Sequence, residues 1–175
     1  MRNKKSLLKT TYTAIFTAII MLCTMLIKFS TGLGEGYIHF GDCFIYLSAC
    51  ILPFPYCLVA SAIGGALADI LGGYAIWAIP TAIIKVLIAL PIMIISKKNQ
   101  APKMLNIKVA LMTIISGAIS IVGYFVAECV LYSVESATLS ILGNTIQAVS
   151  SGVLFIIVAG ALDKMNFKSR IFKGA

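Results

Sequence analysis

The chain has 175 residues, of which 60% are apolar and only 11% charged. Soluble domains run near ~45–50% apolar and ~25% charged, so this composition, with a mean hydropathy of +1.01, excludes an ordinary soluble enzyme and a disordered chain. The net charge of +8 would suggest nucleic acid in a soluble protein, but 12 of the 14 basic residues fall in three clusters, one before the first apolar run, one mid-chain and one at the end, which is the pattern of membrane topology.

Arg2, Lys4, Lys5 and Lys9 precede the first apolar run, 10–27. That run is longer than a signal-peptide core and no small-residue cleavage site follows, so it reads as a retained first helix, roughly 8–28. Within it Ala14 and Ala18 form a small-xxx-small pattern, which lets helices approach closely. The next stretch, 29–42, is rich in Gly, aromatic and polar residues and reads as the longest loop. Asp42 stands where a helix N-cap would. His39 is the single histidine, so no second one can complete a metal site with it; a lid or interfacial role fits it better than catalysis.

The stretch 43–71 is one long helix or two helices broken at Pro53-Phe54-Pro55. Prolines favour the break, and charge agrees independently. Two helices, roughly 43–52 and 55–71, bring the total to six and put both termini and the 97–108 connection on one, cytoplasmic side. One helix would place that basic connection opposite the N-terminus. Ala60, Gly64 and Ala68 give the third helix a face for packing inside the bundle. Helix 4 is expected at roughly 77–96, helix 5 at roughly 107–133 and helix 6 at roughly 138–163. The expectation is therefore an all-α, single-domain membrane bundle of six helices. Glu35, Asp42, Asp69, Glu128 and Glu135 all fall on or near the outer side, and only Asp163 falls inside.

Polar side chains in hydrocarbon are costly and normally face the bundle or a cavity. Trp77, Thr81 and Lys85 are four apart on helix 4. Ser120, Tyr124, Glu128 and Tyr132 are four apart on helix 5. Ser140, Asn144, Gln147 and Ser151 share a face of helix 6. Three such faces at one depth make a polar pocket open to the outside, with Tyr37, His39, Asp42 and Tyr74 from the adjoining loops. The alternative is that Lys85 and Glu128 neutralise each other as a structural pair while Ser, Asn and Gln join helices. Excess acid at this end favours a neutral or weakly basic ligand, and the aromatic residues favour a planar ring. Cys23, Cys43, Cys50, Cys57 and Cys129 form no metal-binding spacing. Their odd number argues against a disulfide framework, and they read as small buried side chains. No phosphate-binding loop, nucleophile elbow or zinc-protease motif is present. No catalytic set, cofactor or nucleic-acid site is expected.

With Gly36-Tyr37-Ile38-His39-Phe40-Gly41-Asp42 opening helix 2, the chain resembles the substrate-binding S components of energy-coupling factor (ECF) vitamin transporters. Ala66 to Tyr74 and Pro80 to Lys85 match further. The resemblance covers essentially the whole chain and is nearest the riboflavin, hydroxymethylpyrimidine or pyridoxine subgroup. It implies a plasma-membrane protein that binds a vitamin from outside and docks on a transmembrane coupling protein with two cytoplasmic ATPases. The whole bundle then topples to release the ligand inside. It also implies that Ala14 and Ala18 carry the docking face and that the outer halves of helices 4–6 hold the ligand. The competing class is an autonomous secondary carrier or channel. A carrier should show inverted repeats or helices broken at mid-membrane, and neither is evident.

Overall fold

The computed structural model describes residues 2–30, 37–99 and 103–173. They form an all-α bundle with one two-stranded ribbon. Helix α1 spans Arg2–Met25, and the ribbon pairs β1 (Lys28–Ser30) antiparallel with β2 (Tyr37–His39). Helices α2 (Gly41–Ile51), α3 (Tyr56–Leu71), α4 (Ala78–Asn99), α5 (Ile107–Leu131), α6 (Val134–Lys164) and the short α7 (Phe167–Lys173) follow. A single 3-10 turn, Ala75–Trp77, leads into α4. Among the described residues four segments are long and apolar enough to cross a bilayer: Ser6–Met25, Ala75–Ser96, Ile107–Leu131 and Val134–Lys164.

Helix α2 is central. It touches α1, α3, α4 and α6, and every one of its residues except Phe44 is buried. Eleven residues rise only about 16 Å, roughly half a hydrocarbon core. Non-helical backbone is tolerated at that depth only where protein surrounds it. Leu52, the C-cap residue of α2, turns to an extended ψ of 141°, as a residue preceding proline must, and α3 starts after Pro55. Around α2 run α1, α3, α4, α5 and α6, each packed on the next.

Small residues set the closest approaches. A Cβ on Gly64 would lie 2.9 Å from Ile20 of α1, and one on Gly65 would lie 2.8 Å from the Lys85 stem of α4. Pro91 sits inside α4 and withholds the backbone donor that the Leu87 carbonyl would take. In the adjoining turn the Ser116 hydroxyl of α5 donates to the Ile88 carbonyl at 2.7 Å, which pins α4 to α5. Asn106 caps α5 and Ser133 caps α6, each accepting from a backbone N–H three residues on. The Ser133 cap starts α6 at Val134, one turn before the sequence expectation. At the basic end the Asp163 carboxylate accepts from the Met104 and Leu105 N–H groups and ties the incoming connection to α6. The core proper is aliphatic, with Tyr46 set edge-on to Phe155 at 5.8 Å. Cys43, Cys50 and Cys57 are buried in it, and Cys23 and Cys129 are half-buried.

Candidate functional site

At the hairpin end of the bundle, side chains from seven segments surround one hollow. They are Thr24 of α1, His39 of β2, Asp69 of α3, Tyr74 and Trp77 of the α3–α4 link, Thr81 of α4, Tyr124 and Glu128 of α5, and Ser140, Asn144 and Gln147 of α6. Counting its open mouth the hollow spans about 510 Å³. Its enclosed part is only about 50 Å³, so it is a narrow slot. Two larger hollows, of about 940 and 990 Å³, lie at the basic end and in the α5–α6 groove. The second is lined almost wholly by apolar chains, and neither gathers the polar faces read from the sequence.

Spacing explains why α5 and α6 supply this lining. Tyr124 and Glu128 are one turn apart, as are Ser140 and Asn144, with Gln147 three further on. The Ser140 hydroxyl donates to Glu128 Oε1 at 2.7 Å, so the two helices meet through polar atoms at the wall of the slot. Trp77 packs against Tyr124 at 5.9 Å and Tyr132 at 6.0 Å, and its indole N–H donates to the Tyr132 hydroxyl at 3.3 Å.

Beneath the slot lies a fully buried polar network. The Lys85 ammonium contacts Asp42 Oδ1 at 2.5 Å, and neither side chain has any exposure. Gln147 Nε2 donates to the other Asp42 oxygen at 3.2 Å. Lys85 Nζ also lies 3.3 Å from His39 Nε2 and 5.2 Å from the centre of the Tyr124 ring. His39 Nδ1 accepts from the Gly41 N–H at 3.1 Å. The His39 backbone is held as well, its N–H donating to Gln147 Oε1 at 3.3 Å and its carbonyl accepting from Ser151 at 3.5 Å. The ribbon is thus anchored into the bundle through its last residue. Buried charge is tolerated when paired and hydrogen-bonded in this way.

Eight of the expected site residues line the slot: His39, Tyr74, Trp77, Thr81, Tyr124, Glu128, Asn144 and Gln147. Asp42 and Lys85 do not; they form the charged layer beneath it. Tyr132 does not either, being 44% exposed behind Trp77. The Tyr37 side chain and Glu35 lie outside the described residues. Two readings need correction. Asp42 is not the N-cap of α2: that position is Phe40, with no side-chain cap, and the carboxylate turns inward to Lys85. Lys85 does not pair with Glu128, because α2 brings Asp42 closer while Glu128 bonds Ser140. Sequence reasoning left three lining residues out of the site. Ser140 was on a recognised polar face. Asp69 interrupts an apolar stretch running from 43 to 84, itself a signal. Thr24 continues the buried stripe of Thr13, Phe16 and Ile20, a register visible only once one face of α1 is known.

Apolar helices that wall off a polar, aromatic-lined slot at one end give this molecule the architecture of a membrane transport subunit. A family model described as "ECF-type riboflavin transporter, S component" matches residues 4–164, and the chain belongs to that family. It is therefore a multi-pass plasma-membrane protein and a substrate-binding transporter subunit rather than an enzyme, and it associates with an ECF coupling module. A protein of Pyrococcus woesei described as "Uncharacterized protein in gap 3'region" is 30% identical over 143 residues, covering 82% of this chain and 90% of that protein.

Proposed function

We propose that this chain binds a small planar heterocycle of the riboflavin, pyridoxine or hydroxymethylpyrimidine type in the slot at its hairpin end, for uptake driven by an ATP-hydrolysing coupling module. The observation that carries this reading is the lining itself. Trp77, Tyr124 and Tyr74 offer ring faces, while Glu128, Asn144 and Ser140 offer hydrogen-bonding groups beside them. Flat rings with polar edges are what such a wall recognises. Lys85 is already matched by Asp42, and the slot's lining carries two carboxyl groups, Asp69 and Glu128, with no lysine or arginine. That balance disfavours a phosphorylated or fatty-acid ligand.

Calorimetric titration of the detergent-solubilised protein with riboflavin, pyridoxine and hydroxymethylpyrimidine tests the reading. One of the three is expected to bind saturably. Glu128→Gln keeps the shape and removes the charge, and is expected to weaken that binding by roughly 10-fold or more, the usual worth of a hydrogen bond to a charged group. Unchanged affinity in this variant removes Glu128 from the site. Tight binding of a phosphorylated compound instead contradicts the ligand class.

In the membrane we propose six crossings, α1 to α6, with both termini and the α4–α5 connection in the cytoplasm and the slot open to the outside. The concentration of Lys and Arg at one end supports this orientation. Reporter tags at either terminus and at Asn99 are expected to read cytoplasmic, and one at Glu35 external. An external signal at Asn99 would overturn the count.

A further inference from the structure

Helix α1 carries five threonines, and four of them do the same thing. Thr10, Thr11, Thr13 and Thr17 each turn the hydroxyl back to the carbonyl four residues earlier, at 3.2, 3.0, 2.8 and 2.9 Å. That is the ordinary way a helical threonine satisfies its hydroxyl in apolar surroundings. Thr24 departs from it. Its side chain is 1% exposed, it lines the slot, and its Oγ1 has no hydrogen-bond partner among the described residues. A buried hydroxyl left unsatisfied is costly, and such groups call for an explanation.

The surroundings show what keeps the hydroxyl where it is. A Cβ on Gly41 would lie 1.9 Å from Thr24 Oγ1 and 3.3 Å from His39 Nδ1. Only glycine at position 41 leaves this room, and His39 Nδ1 is already taken by the Gly41 N–H. The Thr24 hydroxyl thus stands at the edge of the slot with a donor and an acceptor unspent. Helix α1 packs against α2 and α3, whereas Glu128, Ser140 and Asn144 belong to α5 and α6, which pack against each other.

We infer that Thr24 is a ligand-contacting residue, and that the bound molecule carries polar groups on two edges. One edge meets Glu128, Ser140 and Asn144. The other meets the Thr24 hydroxyl. This inference rests on the proposed binding of a heterocycle in the slot and adds α1 to the elements that hold it. A ligand contact on α1 also gives occupancy of the slot a direct grip on the helix that carries Ala14 and Ala18.

The test is Thr24→Val, which keeps the shape and deletes the hydroxyl, compared with Thr24→Ser, which keeps the hydroxyl. Each variant of the full chain is titrated in detergent with riboflavin, pyridoxine and hydroxymethylpyrimidine, and its ligand-free melting temperature is recorded. Thr24→Val is expected to bind about tenfold more weakly than wild type, the scale of one neutral hydrogen bond, and Thr24→Ser within about twofold. The ligand-free melting temperature of Thr24→Val should equal or exceed that of wild type, because the hydroxyl it removes has no partner among the described residues. A structural role predicts the opposite sign. Equal binding by wild type and Thr24→Val overturns the inference, and so does a fall in ligand-free stability alongside the loss of binding. A wild type that binds none of the three compounds sinks the functional reading and takes this inference with it.

Discussion

Asp42→Asn is expected to destabilise the protein severely, by about 3–5 kcal/mol, the range seen when one partner of a buried ion pair is removed. The reason lies in where the charge is left. Lys85 has no exposure and its ammonium lies 2.5 Å from Asp42. An amide keeps a hydrogen-bond acceptor for it but no compensating charge. The other neighbours at the ammonium, the His39 ring and the Tyr124 face, are neutral or weak partners. Water cannot reach the ammonium without opening the packing between α2 and α4. The loss should spread to the ribbon, because Gln147 holds both Asp42 and the His39 backbone. Removing both charges with Asp42→Leu and Lys85→Met should recover most of the stability, since apolar residues of similar size often replace a buried pair at little cost. Thermal unfolding in detergent checks this. An Asp42→Asn protein that melts with wild type would show that the pair is not the bundle's central tie.

Ala14→Trp or Ala18→Trp is expected to abolish uptake and co-purification with the coupling module while leaving ligand affinity near wild type. Both alanines are exposed on α1, away from the stripe of Thr13, Phe16, Ile20 and Thr24 that packs inward. The bundle therefore makes no use of their small size, and a neighbour outside the chain is what would. Helix association in lipid rests on close packing, so an indole there holds the partner off. The slot is built from β2 and from α3 to α6 with only the far end of α1, and should not respond. Trp at Ile15 or Ile19, off that line, should do much less. Normal transport by both alanine variants would rule out this face for docking. Loss of ligand binding as well would mean that the face supports the fold, contrary to its exposure.

The parts of the molecule legible from sequence are those set by local periodicity. Glu128 and Tyr124, Asn144 and Ser140, and Thr81 beside Trp77 lie one helical turn apart, and burial of polar groups in an apolar chain has few solutions. The break at Pro53 and Pro55 was equally plain, because proline acts on its own backbone. What spacing could not give was which faces meet. Asp42 and Lys85 are 43 residues apart, and their pairing depends on α2 running through the centre of the bundle. An aspartate just before an apolar run looks like a cap whether or not it turns inward. The ribbon is three residues a side and has no alternating pattern long enough to see. Its position follows from the His39 contacts to α4 and α6 rather than from strand propensity.

If the hairpin-end slot holds a heterocyclic vitamin or precursor, the purified protein should carry that molecule with it. The most direct measurement is mass spectrometry of small molecules released on denaturing the purified protein, with Asn144→Trp as the comparison. Asn144 lines the slot and takes part in none of the buried pairs described above, so an indole there should fill the space without disturbing the fold. Wild type grown with riboflavin, pyridoxine and hydroxymethylpyrimidine should release one of them in near-stoichiometric amount, and Asn144→Trp should release almost none. A wild type that releases no heterocycle, or a variant that releases as much as wild type, would contradict the account.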